Sequence, residues 1–159
     1  MILVCESEQA EGAAASASLP RTNPRSLLQV VSRYREILTS VTQRAAQEDA
    51  PTVASFLGLS LSNYYTKRRG ELPFTYADVT RLTHRYGTEQ ERADLQRFFQ
   101  VRDGLYSWLQ NSPIPLVRFR RLLGLQHYRD FSRHGQHPDT WRLDDLEKIG
   151  EFLAQVGQV

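Results

Sequence analysis

The fold of this chain is decided by residues 52–87, which read TVASFLGLSLSNYYTKRRGELPFTYADVTRLTHRYG. Apolar residues in this stretch recur at the three- and four-residue spacing of helices. Gly58 and Gly70 interrupt the pattern at points where a helix can end in a left-handed residue. Thr75, followed three residues later by Asp78, has the spacing of a capping box that opens a further helix. The stretch therefore predicts three short helices separated by tight turns.

The segment before this stretch predicts one longer helix. Ser26 suits its N-cap, and apolar residues at helical spacing continue it to near Glu48. Asp49 then suits the N-cap of the next helix, which ends at the first glycine of the quoted stretch. The N-cap of the helix after that is predicted at Ser60 or Ser62.

The turn in the middle of the quoted stretch has the spacing AxxxGxS, filled by Ala54, Gly58 and Ser60. A small residue at the first position lets two helices cross closely. Glycine at the second position permits a positive φ where a side chain would clash. An aromatic residue, Tyr64 or Tyr65, is expected to cover the core side of the helix that follows. This combination is the pattern of a helix-turn-helix unit.

The turn and the helices around it resemble the lambda-repressor-like helix-turn-helix family, also called the XRE or Cro/repressor type. The resemblance runs from about Leu27 to Tyr86 and includes the long helix before the turn. In that family the helix after the turn lies in the major groove of DNA, where its early residues contact base edges. The resemblance therefore implies a DNA-binding domain whose recognition helix lies near residues 61–69.

The resemblance also implies roles for single side chains of that helix. The residues implied to face the groove are Ser62, Asn63, Tyr65 and Thr66. Lys67 and Arg69 are implied to bind phosphates. The sequence departs from the family pattern at Lys67 and Arg68, since one of these two positions is normally apolar and packs on the core. The aliphatic stem of one of them is expected to take that place.

A loose echo of the unit follows about 66 residues later, in residues 117–153, which read VRFRRLLGLQHYRDFSRHGQHPDTWRLDDLEKIGEFL. Gly124 corresponds to Gly58, and one extra residue in the loop after the second helix of the unit aligns the remainder. The echo predicts a degenerate tandem copy, because Asp130 stands at a position that is normally part of the core. Arg129 and Arg133 are expected on its exposed side, to contact either the DNA backbone or a protein.

The whole chain is predicted to be all-α, a helical bundle built from helix-turn-helix units of lambda-repressor-like type. We divide it into a disordered tail at residues 1–25, a helix-turn-helix domain at 26–87 and a degenerate second domain at 88–159. The tail is rich in alanine and serine and lacks apolar periodicity beyond its first residues.

Other functional classes find little support in the sequence. Neither a Walker nor a Rossmann phosphate loop occurs, and Cys5 has no obvious histidine partner, so no catalytic residue, metal or cofactor is predicted. Asp130, His134 and His137 could align as metal ligands on a helix, but Gly135 and Pro138 are expected to break that helix. A single cysteine favours a reducing cytoplasm, and no apolar run is long enough to span a membrane.

The sequence thus favours a sequence-specific transcriptional regulator that binds double-stranded DNA. The net charge is only +2, so the attraction to phosphate must come from local basic patches. One unit makes few contacts, so a homodimer or the second unit is expected to supply the rest. The alternative is a helical protein-interaction module, such as an antitoxin-like or phage-type regulator bound to a protein partner, without direct DNA contact. Operator, effector and oligomeric state are left open.

Overall fold

A computed structural model describes residues 24–157, and this part of the chain is almost entirely helical. Its α-helices are α1 (Pro24–Ala45), α2 (Ala50–Leu57), α3 (Leu61–Arg68), α4 (Tyr76–Tyr86), α5 (Glu89–Gln110), α6 (Leu116–Leu122), α7 (Tyr128–Gln136) and α8 (Leu143–Val156). A 3₁₀ turn at Pro138–Thr140 joins α7 to α8. Residues 24–157 contain no strand, which confirms the all-α prediction.

The first helix begins two residues before the predicted N-cap. Ser26 lies inside α1, which starts at Pro24, and proline suits the first turn of a helix because its missing N–H needs no partner there. The end of α1 at Ala45 is likewise earlier than the predicted Glu48, because the chain turns before Asp49 caps the next helix. Of the predicted tail, residues 1–23 lie outside the described residues.

The long helix α1 lies at the centre of the fold. Its apolar face is buried along its whole length, from Leu27 through Tyr34 to Val41, and α4, α5 and α8 all pack against it. Full burial of one such side chain contributes roughly 1.5–3 kcal/mol. The contacts of α1 therefore join the first four helices to the last four in a common hydrophobic core.

The predicted helix-turn-helix geometry is present between α2 and α3. Asp49 caps α2 by accepting a hydrogen bond from the Thr52 amide at 3.0 Å, and Gly58 ends it with a φ of 68°. The Leu59 amide reaches back to the Ala54 carbonyl at 2.9 Å and closes the turn. Of the two serines considered, Ser60 is the N-cap, since its hydroxyl accepts from the Asn63 amide at 3.2 Å.

The capping box predicted for α4 is confirmed. The Thr75 hydroxyl accepts from the Asp78 amide at 3.1 Å, and the Asp78 carboxylate accepts from the Thr75 amide at 3.0 Å. The helix then runs to Tyr86, as predicted, and its C-cap Gly87 has extended backbone. A side chain at Gly87 would collide with the Thr83 carbonyl, so the glycine allows a close approach rather than a left-handed turn.

The second turn repeats the geometry of the first one. Gly124 has a φ of 70°, and the Leu125 amide donates to the Arg120 carbonyl at 3.0 Å. The extra residue of the second unit lies in this turn, because Phe131 is fully buried in the place of Tyr64. The sequence alignment had put the insertion one loop later.

The last two helices of the second half, α7 and α8, differ in part from the sequence prediction. Gly135 does not break α7, which continues through it and ends at Gln136 before Pro138. The ring of Tyr106 lies where a side chain at position 135 would be, so only glycine fits there. The buried residues Leu146 and Ile149 of α8 hold the positions aligned with Val79 and Leu82 of α4. However, α8 packs on α1 of the first half. Both the duplication and the domain boundary at residue 87 stay predictions.

Backbone conformation separates two glycines whose substitutions should act in opposite directions. At Gly58 a Cβ would find its nearest neighbour, an Arg81 nitrogen, 3.7 Å away, so the obstacle is the positive φ and not a lack of space. Gly58→Val should lower the free energy of unfolding by about 2 kcal/mol or more, since a β-branched residue resists this conformation. Gly104 lies inside α5 with open space around it, so Gly104→Ala should raise that free energy by about 0.5–1 kcal/mol. Urea unfolding followed by circular dichroism measures both, and equal effects of the two variants would contradict this explanation.

Candidate nucleic-acid interface

The helix α3 presents most of its surface to solvent. Tyr64 is its single buried residue and anchors it to the core, whereas Tyr65 is 40 % exposed. This settles which of the two tyrosines covers the core. Ser62 and Asn63, the first predicted base-reading residues, are also exposed, and Leu61 beside them is 42 % exposed. The start of α3 therefore offers polar and apolar groups side by side at the surface.

Thr66, the fourth predicted base-reading residue, is less accessible than the other three. Its side chain is half-buried, and its hydroxyl donates to the Ser62 carbonyl at 2.9 Å within the helix. A hydroxyl that bonds its own helix is a poor donor to a base. The accessible polar surface of α3 is thus concentrated at Ser62, Asn63 and Tyr65.

Lys67 points inward rather than toward solvent. Its ammonium group donates to the Asp78 carboxylate at the start of α4, and the two side chains are 12 % and 7 % exposed. The lysine stem takes the place at which the family pattern has an apolar residue, as expected for one of the two cations. The prediction that Lys67 binds a phosphate is corrected accordingly, because its charge is already paired inside the fold.

The carboxylate of Asp78 joins three parts of the unit. It accepts hydrogen bonds from Lys67 of α3 and from the Thr75 backbone, while its own amide starts α4. Burial raises the pKa of Asp78, but the hydrogen bonds from Lys67 and Thr75 outweigh burial and hold this pKa below its usual value. The ionised form is therefore favoured in the folded state, and it fixes the end of α3 against α4.

Two arginines follow Lys67 and remain at the surface. Arg69, predicted to bind phosphate, is the C-cap of α3 and forms an exposed ion pair with Glu71 at 2.8 Å. Arg68 is exposed and forms no ion pair within residues 24–157. Sequence reasoning left Arg68 out of the phosphate-binding set, although the run of three cations was visible. Once Lys67 is assigned to the interior, Arg68 is the cation that replaces it at the surface.

Arg81 of α4 stabilises the turn between α2 and α3. The guanidinium of Arg81 donates to the Leu57 carbonyl at 2.8 Å and satisfies the last turn of α2. A cation at this end of a helix also interacts favourably with the helix dipole. Sequence reasoning missed this role, because nothing in the spacing of Arg81 from Leu57 indicates the contact.

The predicted contact residues of the second unit lie on a separate element. Arg129 and Arg133 are exposed on α7, which packs on α5, α6 and the 3₁₀ turn, whereas α3 packs on α2. Tyr128 at the start of α7 is 48 % exposed and shares a hydrogen bond with the Tyr106 hydroxyl at 3.2 Å. The Nε atom of Arg120, which stands where the first unit has a small alanine, is buried without a hydrogen-bond partner in the described structure.

The inner side of α7 holds a stacked pair of rings. His134 lies parallel to Trp141, with ring centroids 4.0 Å apart, and its Nδ1 is 2.7 Å from the Thr140 hydroxyl. Trp141 is fully buried. Burial lowers the pKa of His134, and the positive charge of Arg133 adds to this effect while Asp145 opposes it. The neutral imidazole is therefore the form that the fold accommodates.

Within residues 24–157 no group of three or more His, Cys, Asp or Glu side chains could hold a metal ion. No helix in the same range is long and apolar enough to cross a membrane. The cytoplasmic location and the absence of a cofactor and of enzymatic activity stay predictions, and Cys5 lies outside the described residues.

Comparison with known families agrees with the geometry of the first unit. Residues 26–94 match the sequence model of the BetR domain, a helix-turn-helix-type DNA-binding domain. The match supports the interpretation of this segment as a helix-turn-helix domain. The match covers α1 to α4 and the first turns of α5, and it fits a helix-turn-helix family in general rather than the lambda-repressor type in particular. No curated protein and no solved structure matches the chain.

The inward position of Lys67 predicts a large effect on stability. Lys67→Met leaves the buried Asp78 carboxylate without its partner and should lower the free energy of unfolding by about 3 kcal/mol at pH 7. The matched control, Arg69→Met, removes an exposed cation from the same helix and should change stability little. Urea titrations of both variants test this expectation, and similar midpoints for the two would show that the buried pair adds nothing.

The same pair predicts how stability depends on pH. Because the folded-state pKa of Asp78 is depressed, its contribution is fully present above about pH 4 and is lost as the pH falls below that value. In Lys67→Met this acid-dependent loss should be smaller, since the carboxylate no longer gains from ionisation. Urea midpoints of the wild type and the variant between pH 5 and pH 3 measure the difference.

The stacked histidine predicts a second loss of stability, at milder pH. The folded-state pKa of His134 is depressed, so its contribution is present above about pH 6.5 and is lost as the pH falls through that value. His134→Phe keeps a ring against Trp141 but cannot take up a proton, and its melting temperature should change less between pH 7 and pH 5 than that of the wild type. His84 is exposed, so His84→Phe should retain the wild-type dependence and serves as the control.

Proposed function

We propose that the protein is a sequence-specific transcriptional regulator that inserts α3 into the major groove of double-stranded DNA. The observation that carries this proposal is the exposure of Ser62, Asn63 and Tyr65 on a helix that a single buried tyrosine anchors behind a helix-turn-helix turn. The BetR match over the same residues supports DNA as the partner. A lambda-repressor-like mode of docking is part of the proposal.

The side chains of α3 take different roles in this proposal. The Asn63 amide is the base-reading group, because a carboxamide can pair with both the N6 and N7 positions of adenine. Arg68 and Arg69 at the end of the helix hold phosphates, Arg69 by exchanging Glu71 for the DNA backbone. Lys67 contributes indirectly, since its pairing with Asp78 fixes the angle at which α3 leaves the domain.

The second unit extends the contact with DNA in this proposal. Its turn has the same glycine conformation as the first, and Arg129 and Arg133 are exposed on the helix that follows. These two arginines would bind phosphates without reading bases, since α7 offers fewer uncharged polar groups at its start. A tandem arrangement within one chain, or a homodimer, supplies the contacts that one unit lacks.

A pair of substitutions separates base reading from phosphate binding. Asn63→Ala should weaken binding to the preferred site by about 1–3 kcal/mol and flatten the preference at one or two base pairs. Arg68→Ala should weaken binding to all sequences alike and lower the salt slope by about one. Arg97→Ala removes an exposed arginine from α5 and should leave both quantities unchanged. Fluorescence anisotropy over a salt series measures all three variants.

The preferred site comes from selection of bound sequences out of a random DNA pool. A palindromic result indicates a homodimer, and a bipartite site without symmetry indicates that both units of one chain bind. Failure to retain any DNA at about 50 mM salt, where phosphate contacts are strongest, would refute the proposed function. Wild-type specificity in Asn63→Ala would move the recognition away from α3.

A second candidate function is a protein-interaction module in which α3 contacts another protein. The exposed Leu61 and Tyr65 lie one helical turn apart and form an apolar strip on α3, which favours this alternative. Leu61→Asp should then abolish a protein complex while the protein shows no affinity for DNA. Under the DNA-binding proposal, the same variant weakens DNA binding.

A further inference from the structure

A cleft of ≈ 820 Å³ lies where three parts of the fold meet. Its floor is the middle of α1, from Tyr34 to Gln43. One wall is formed by Lys67 and the segment 70–76 that links α3 to α4, and the opposite wall by residues 139–144 at the start of α8. A cleft of this size between packed elements matches the pockets that bind small molecules.

Polar contacts join the elements that line the cleft. The Tyr76 hydroxyl donates to the Trp141 carbonyl across the cleft. On the floor, Arg35 is held by Asp144 at 3.3 Å and Glu147 at 2.9 Å. The cleft is therefore bounded by the same contacts that hold the two halves of the chain together.

The charges around the cleft are largely neutralised by neighbours. Lys67 is paired with Asp78, and Arg35 with the two acids of α8. Within residues 24–157, Arg142 and Asp139 are the lining charges that form no ion pair, and they are of opposite sign. The hydroxyls of Thr39 and Thr42 on the floor already donate to carbonyls of α1. The cleft therefore has no excess of either charge to attract an ion.

Apolar groups provide the remaining lining. Leu72 is 46 % exposed, although leucine is normally buried, and it lies beside Phe74 and Tyr76 on the wall that follows α3. Leu38 and Leu143 face the cleft from α1 and α8. A cleft whose lining groups several apolar and aromatic side chains together fits the lining of small-molecule sites.

We propose that this cleft binds a neutral aromatic small molecule, and that its occupancy raises the affinity of α3 for DNA. The ligand would contact both Lys67 and the segment 70–76, and so it would stabilise the present orientation of α3. Two sites that favour the same conformation bind with positive coupling, and the coupling is reciprocal. The effect on DNA rests on the proposed function, whereas ligand binding itself does not.

The first experiment tests binding on the full chain without DNA. N-phenyl-1-naphthylamine is a neutral fluorescent probe, and 1-anilinonaphthalene-8-sulfonate carries the same ring system with an added negative charge. The neutral probe should bind with one site per chain and at least about tenfold more tightly than the anionic one. Equal or tighter binding of the anionic probe would overturn the assignment of a neutral ligand.

Two variants locate the probe in the cleft. Leu72→Asp puts a charge on the wall, and Thr39→Trp fills the floor from an exposed helix position, so neither removes a buried side chain. Each should weaken binding of the neutral probe by about tenfold or more. Val117→Asp is the control, because Val117 is an apolar residue of α6 that is 39 % exposed and lies outside the cleft. This variant should bind the probe as the wild type does. Wild-type binding by both cleft variants would overturn the site.

The second experiment measures coupling to DNA. A saturating concentration of the neutral probe should tighten binding of the selected DNA site by about fivefold or more, and the DNA should tighten binding of the probe by the same factor. Leu72→Asp should lose this coupling. An unchanged or lowered DNA affinity with the cleft filled would overturn the coupling. If the chain binds no DNA at all, the proposed function fails, while the probe titration still decides whether the cleft is a binding site.

Discussion

The ion pair between Lys67 and Asp78 is the constraint on which the geometry of the first helix-turn-helix unit depends. The helix α3 has eight residues and one buried side chain, so it has little apolar surface to fix its orientation. The pair adds a directional contact at the end of α3. Tyr64 lies in the middle of the helix and cannot provide that contact. Because Asp78 also completes the capping box of α4, the start of one helix and the end of another share a single carboxylate. The orientation of α3 thus depends on a charge that must stay ionised.

The second constraint is the shared use of α1. In a chain of two independent units, α8 would be expected to pack on α5, as α4 packs on α1. Instead α1 contacts α4, α5 and α8 together, and Gly150 of α8 accommodates the side chain of Leu28 where a Cβ would lie 2.8 Å from it. The second half therefore completes the core of the first half. The last helix of the chain is therefore needed for the packing of α1, whatever the origin of the second turn.

Local signals in the sequence were sufficient for most of the first unit. Caps and turn glycines act over three or four residues, and so the roles of Asp49, Gly58 and Thr75 could be predicted from spacing alone. Contacts between helices could not be predicted in this way. The position of Lys67 in the interior depends on Asp78, eleven residues away and on another helix. The packing of α8 on α1 and the cleft beside it depend on contacts across more than a hundred residues, for which one sequence carries no periodic signal.

The packing of α8 has a consequence for the way in which this chain can be divided in evolution or in the laboratory. The segment matched by the BetR domain ends at residue 94, inside α5, and lacks α8. A fragment that ends there would expose to water the face of α1 that α8 covers, and it would cut α5 before the buried Leu95 and Phe98. The length of sequence that identifies the domain is therefore shorter than the length that completes its core. Fusions and exchanges with other proteins that preserve this fold should carry α8 along with α1 to α5.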